Sequence, residues 1–141
     1  MRVISLWQPW AELIARGLKT WETRSWPVKQ FGEVAIHAAK RKFRDEDMTR
    51  EARMQLLMDD VDPYWLKYGA VLCVCDIVAC VQAETGRNHI SERDRLYGDW
   101  SDERFGWRLE NVRRLPEPLA LKGHQGFFYW PEGKRILEGA F

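Results

Sequence analysis

The hydrophobic and polar positions predict a chain built mostly of short strands. Arg2 to Leu6 reads as a first strand, and Gln8-Pro9-Trp10 turns into a short helix. Pro9 suits a first helical position, where its missing N–H costs nothing. Trp10, Leu13 and Ile14 recur at helical spacing, and Gly17 fits the residue just past the helix end. Lys19 to Arg24 alternates, with Lys19, Trp21 and Thr23 on one side and Thr20, Glu22 and Arg24 on the other. Glu33 to Ala38 is a further strand, with Gly32 as its turn residue. Asp45 to about Met58 reads as a helix with Asp45 as N-cap and Met54, Leu57 and Met58 as its apolar face. Val61 to Tyr68 is a loop.

Gly69 to Gln82 is the clearest strand. Leu72, Val74, Asp76 and Val78 share one face; Val71, Cys73, Cys75, Ile77 and Ala79 share the other. Both faces are mostly apolar, as expected of a central strand. Glu84 to Arg104 is polar and reads as loop with one helical turn. Phe105 to Val112, Leu119 to Lys122 and Phe127 to Trp130 read as strands, punctuated by Pro116, Pro118, Gly123 and Gly126. About six strands with two or three helices in one domain, residues 1–141, predict an α+β fold. So many short strands usually close into a small barrel, which removes exposed edges.

Composition narrows the class. The 141 residues are 45% hydrophobic and 30% charged, enough apolar surface for one core. The formal net charge of +1 argues against coating nucleic acid with the whole surface, but leaves room for one basic groove. The longest apolar run, Ala70 to Val81, is interrupted by Asp76 and too short to span a bilayer. The N-terminus lacks a signal-peptide layout, so the expected setting is cytoplasmic. Three cysteines, Cys73, Cys75 and Cys80, do not suggest a disulfide framework. They read as core residues of one strand rather than as a metal site with His89. No cofactor motif is present. Eight tryptophans are many for this length, and some could serve as stacking surfaces. Trp7 and Trp21 are assigned to the core.

The densest chemistry lies in LWQPWAELIARGLKTWETRSW, Leu6 to Trp26. On a regular strand Lys19 and Glu22 would face opposite sides. They share a pocket only if the strand kinks or Lys19 sits in the turn leading into it. The sequence W-Q-P-W-A, then G-x-K-T-x-E-x-R-S-W, then F-G-x-V-x-I-H-A, resembles the ASCH domain family. The form is that of activating signal cointegrator proteins and of bacterial and phage single-domain relatives. The likeness continues through GAVLCVCDIVAC and FGWRLENVRRLPEPLALKGHQGFFYWP. It implies a small PUA-like β-barrel whose cleft handles RNA or a modified nucleobase.

The resemblance also implies site residues. Lys19 matches the lysine of the family's G-x-K motif, which is catalytic in relatives resembling N(4)-acetylcytidine amidohydrolases. Three positions on, where those enzymes carry a threonine, this chain has Glu22. A further acidic residue would be Glu92, Asp99 or Glu103. Lys19 and Glu22 are therefore the catalytic candidates. Gln8, Pro9, Trp10, Arg24, Trp26 and His37 are the substrate-binding candidates. Gln reads base edges, Trp stacks on bases and Arg grips phosphate. Lys40, Arg41 and Lys42 form a basic run that suits a nucleic-acid backbone, and the loop Lys122–Gly126 could line the groove. Ser5 belongs to no nucleophile motif with His and Asp. The expected partner is RNA, single-stranded or as a modified nucleoside, with DNA as a second option and no membrane. Three functions fit: binding alone, metal-independent hydrolysis (a ribonuclease or nucleoside amidohydrolase), or a protein-interaction adaptor.

Overall fold

A computed structural model describes residues 1–141. Its strands are β1 (Arg2–Leu6), β2 (Trp21–Arg24), β3 (Gly32–Ala38), β4 (Ala70–Gln82), β5 (Phe105–Ala120) and β6 (Phe127–Tyr129). Its helices are α1 (Trp10–Ala15), α2 (Arg50–Met58), α3 (Ala83–Gly86), α4 (Glu92–Leu96) and α5 (Gly133–Ala140). The six strands form one sheet in the order β2-β5-β4-β3-β1-β6. Only β1 and β3 run parallel, with Ser5 opposite His37. The fold is α+β, and the sheet curls into a half-barrel. No ladder joins β2 to β6, so the expected closure is made by side chains instead. Trp107 of β5 stacks on Phe127 of β6 with ring centroids 5.4 Å apart, and Trp26 meets both edge-on.

The core lies on both sides of the sheet. Inside the curl, Ile4, Val34, Ile36, Cys73, Cys75, Ile77 and Trp107 pack against Ala11, Ile14 and Ala15 of α1. On the other side, Val3, Val71, Val74 and Leu115 are covered by Trp130 and by Leu137 of α5. A third cluster joins Leu13, Met48, Ala52, Leu56 and Tyr97, tying α2 and the end of α4 to α1. Gly17 ends the α1 turn at φ +75, a left-handed conformation that glycine adopts without steric cost. No helix is long and apolar enough to cross a membrane.

Several sequence expectations are corrected. The second helix starts at Arg50, because Asp45–Asp47 is a separate 3-10 turn followed by extended Met48. Its N-cap is Thr49, whose hydroxyl accepts the Ala52 N–H at 3.1 Å. The buried face is Ala52 and Leu56, while Met54, Leu57 and Met58 are exposed. Docking decides the face: Ala52 and Leu56 pack against Leu13, Phe43, Val61 and Tyr97.

In β4, register shifts between Val71 and Cys73 put Val71 with Val74, and Leu72 with Cys73. A β-bulge moves side chains to the opposite face in this way. The strands expected at Phe105–Val112 and Leu119–Lys122 are one strand, β5, running through Pro116 and Pro118. Pairing with β2 ends at Arg108, so the prolines sit where β5 is an edge and no donor is missed. Five helices replace the expected two or three. Two of them, α3 and α4, lie in the segment read as loop, and α5 follows the last strand. Trp7, assigned to the core, is half exposed.

The α2 correction predicts an asymmetric stability map. Thr49→Ala should cost about 1 kcal/mol through the lost cap. Leu56→Ala should cost about 2–5 kcal/mol through the cavity it leaves. Leu57→Ala should stay within about 0.5 kcal/mol as an exposed substitution. Urea unfolding of the three variants measures this order.

Candidate functional site

Two adjoining clefts open beside β1, divided by Ser5, Trp7 and Arg24, which line both. The smaller, about 580 Å³, holds Lys19, Glu22, Trp10, Tyr97, Asp99 and Arg104. Lys19 sits in the turn between α1 and β2, its backbone N–H bonded to Leu13 O at 3.1 Å. Only this placement lets Lys19 and Glu22 share a cleft, since within the strand they would point apart. The Lys19 side chain is 2% exposed. Its ammonium donates to the Tyr97 carbonyl, lies 3.7 Å from Glu22 Oε1, and rests 5.5 Å from the Trp10 ring centroid. Burial pulls Lys19 below the usual lysine range, with Glu22 and then Asp94 acting against that pull.

Glu22 is also engaged elsewhere. Its Oε2 accepts Arg24 Nε at 3.0 Å and its Oε1 accepts the Thr23 N–H at 3.2 Å. Arg24 in turn donates Nη2 to the Ser5 carbonyl at 3.3 Å. Lys19, Glu22 and Arg24 thus form a fixed charge chain running from the small cleft to the large one. Of the three acidic candidates, only Asp99 lines the cleft, with Arg104 Nε 3.5 Å from its Oδ2. Glu92 and Glu103 are exposed on α4 and on the loop before β5.

The larger cleft, about 1050 Å³, is lined by fifteen residues that include Arg24, Lys40, Lys122, His37 and His124 and no Asp or Glu. Trp26 and Trp7 supply its aromatic wall. Lys40 and Lys122 make no ion pair in the protein, so their charges face the cleft uncompensated.

His37 is buried on β3 and works as a latch. Its Nε2 lies 2.6 Å from the Leu121 carbonyl, which can only accept, so Nε2 carries the proton. Nδ1 is then free to accept the Ser5 hydroxyl at 2.8 Å. The pair is not poised as a nucleophile and base. A Cβ built on Gly123 would fall 2.6 Å from the imidazole and 2.9 Å from Ser5 Oγ, so the loop backbone packs directly over both. The bonds instead hold the Leu121–Gly126 wall against the sheet. Burial pulls His37 below its ordinary pKa of 6.5.

The other sequence candidates are placed as follows. Gln8 is fully buried: its Oε1 accepts the Glu12 N–H at 2.9 Å and its Nε2 donates to Lys67 O at 2.8 Å. It closes the first turn of α1 and lines neither cleft. Pro9 is the buried residue preceding α1. Arg41 is bonded through both terminal nitrogens to Asp47, at 2.7 and 2.8 Å, and lies over Trp7. Lys42 is exposed. The basic run therefore divides: Lys40 faces the large cleft, while Arg41 is paired. Burial raises the Cys73 and Cys75 thiols. No group of three His, Cys, Asp or Glu side chains stands in metal-holding geometry.

Sequence reading missed Asp94. Its carboxylate accepts the Thr20 N–H and hydroxyl, both at 2.7 Å, and anchors α4 to the turn that carries Lys19. Only the sequence S-x-x-D, with Ser91 capping the Asp94 N–H at 3.1 Å, offered a sign of that helix start. Trp7 and Ser5 were missed because nothing in the local pattern distinguishes a cleft residue from a core one, and Arg104 because it lies in a polar segment that reads as loop.

Residues 4–118 match the model of the ASCH domain. Activating signal cointegrator 1 of Homo sapiens is 26% identical over 140 residues, 97% of this chain and 23% of that protein. The Mus musculus protein of the same name is 29% identical over the same share. The chain thus spans about a quarter of the length of these relatives. The crystal structure of ASCH from Zymomonas mobilis superposes with a TM-score of 0.60 at 19% identity, covering 98% of this chain and 93% of that one.

The His37 latch predicts a pH dependence with a definite sign. A histidine lowered on folding binds fewer protons in the native state than in the unfolded one. Stability therefore falls as pH drops through 6.5 toward the folded value. Urea midpoints should decrease from pH 7.5 to pH 5.5, and His37→Gln should shrink that decrease. An equal decrease in the variant would assign the acid sensitivity to other groups.

Proposed function

Because the chain belongs to the ASCH domain family, we propose that it binds RNA, or a nucleoside within RNA, in the paired clefts beside β1. The single observation that carries this reading is the segregation of charge in the larger cleft. A protein of net charge +1 has gathered the unpaired Lys40 and Lys122, with Arg24 held by Glu22 at the border, around an aromatic wall that no carboxylate lines. Such a surface suits a polyanion that also carries flat apolar groups. Lys40 and Lys122 would contact phosphates, each displacing condensed counterions. The smaller cleft, with its fixed Lys19 donor and Glu22 acceptor, would read the polar edge of a base.

Titration of a short single-stranded RNA across a series of salt concentrations tests this. For single strands the slope of log K against log salt is about −0.7 per phosphate neutralised. Lys40→Ala with Lys122→Ala should weaken binding and make the slope shallower by about 1.4. Lys42→Ala, outside both clefts, should leave affinity and slope nearly unchanged. An unaltered slope in the double variant would defeat the proposal.

A second reading is metal-independent hydrolysis of an acylated nucleoside or of RNA in the smaller cleft. The observation favouring it is the convergence of Lys19, Glu22 and Asp99 in one cavity with Lys19 desolvated. A lysine whose ammonium is disfavoured by burial has a larger share of free amine than an exposed lysine at the same pH, and the amine can act as base or nucleophile. Glu22 could instead take a proton from water. Turnover of an acylated cytidine and of a short RNA by wild type, Lys19→Ala and Glu22→Gln separates these roles. If Glu22 is the base, Glu22→Gln abolishes turnover with affinity retained. If Glu22 only holds Lys19, the variant lowers the lysine pKa further and shifts the pH–rate profile. Absence of turnover in wild type, with RNA bound, leaves both as recognition groups.

A further inference from the structure

Trp7 occupies an unusual position for a tryptophan that the local pattern assigns to the core. It follows the last residue of β1, is 50% exposed, and lines both clefts. One face of its indole is covered by Arg41, whose guanidinium carbon lies 3.7 Å from the ring centroid. Arg41 is itself immobilised by its two bonds to Asp47, and Asp47 is fixed in turn by the Arg44 N–H at 3.0 Å. The guanidinium is thus committed as a backing plate and is not free to grip a phosphate. A ring held flat from behind, with its remaining surface at the junction of a basic cleft and a polar one, is prepared to receive a second flat group.

We infer that Trp7 is a stacking platform for one unpaired nucleobase, and that Arg41 and Asp47 are the positioning residues that orient it. This rests on the reading of the clefts as an RNA site. A base laid on the open part of Trp7 has Lys40 and Lys122 on the side of the larger cleft for its phosphates. It has Arg24, Glu22 and Lys19 on the side of the smaller cleft for its polar edge. Stacking requires a base taken out of a helix, so the platform selects single-stranded or flipped-out nucleotides over duplex. Its contribution does not depend on counterion release, because no charge on Trp7 meets a phosphate.

The test compares three probes: a single-stranded RNA, an abasic sugar–phosphate chain of the same length, and the matching RNA duplex. Trp7→Ala should weaken single-stranded RNA by roughly tenfold to a hundredfold with the salt slope unchanged. Trp7→Phe should recover most of that loss, which also shows that the fold survives substitution at this half-exposed site. The abasic chain should bind weakly to wild type and equally to Trp7→Ala, and duplex should be disfavoured by wild type. Arg41→Ala should weaken single-stranded RNA without changing the slope. A slope shallower by about 0.7 would make Arg41 a phosphate contact and overturn its backing role. Wild-type affinity in Trp7→Ala, with the Lys40/Lys122 effect intact, overturns the platform and leaves the cleft reading standing. No binding of RNA by wild type overturns both.

Discussion

The buried ammonium of Lys19 constrains everything around the candidate site. Removing a charge from water is costly unless hydrogen bonds and an opposite charge replace the solvent. Here the replacements come from three different parts of the chain: the Tyr97 carbonyl, the Glu22 carboxylate and the Trp10 ring. The lysine therefore draws together α1, β2 and the segment that follows α4. Tyr97 is pinned from its other end as well, its hydroxyl donating to Asp59 Oδ2 at 2.6 Å beside Arg93. Asp94 holds the same segment through Thr20. The floor of the smaller cleft is rigid because its polar groups are also its structural fastenings.

Charge is allocated in a similar way across the molecule. The near-balance of acids and bases in the sequence hides a spatial separation. Glu12, 4% exposed, takes Arg16 and both terminal nitrogens of Arg114. Asp47 takes Arg41, and Arg113 bridges Glu33 and Asp76. These pairs engage Glu12, Asp47, Glu33 and Asp76, none of which lines the larger cleft. A basic groove on a nearly neutral protein is then a matter of where the carboxylates are placed, which net charge alone cannot reveal.

How much of this was legible in the sequence depended on whether the deciding contact was local. The strand Arg2–Leu6, the helix ended by Gly17 and the central strand from Ala70 were readable because periodicity and punctuation act over a few residues. The shared cleft of Lys19 and Glu22 was legible only as a condition, a kinked strand or a Lys19 in the turn, and the turn is where Lys19 lies. The family resemblance supplied the barrel class and marked Lys19. What failed was non-local. Pro116 and Pro118 read as strand breakers, because the shortness of β2, which leaves β5 an edge, is not a local signal. The faces of β4 could not be read through its bulges. The buried face of α2 was misjudged, because Ala52 and Leu56 are selected by their non-local contacts with Leu13, Phe43 and Tyr97, which hydropathy along the helix does not show. Trp7 looked like core because hydropathy has no way to mark an indole covered by an arginine.

The Trp7 environment also explains why a basic run is a poor guide to its own function. Lys40, Arg41 and Lys42 are adjacent in sequence, yet β3 ends at Ala38 and the chain turns there, so the three side chains separate. Lys40 packs its stem along Gly69, where a Cβ would lie only 3.1 Å from the lysine chain, and stays in the larger cleft. Arg41 meets Asp47 and the indole, and Lys42 points to solvent. A guanidinium can do what an ammonium cannot at the middle position: it is planar, pairs with a carboxylate through two parallel bonds, and still presents a flat face to an aromatic ring. One run of like charges therefore divides into an uncompensated lysine in the cleft, an aromatic support and a solvated surface group. The division follows from side-chain geometry and from the position of Asp47, not from the charges themselves.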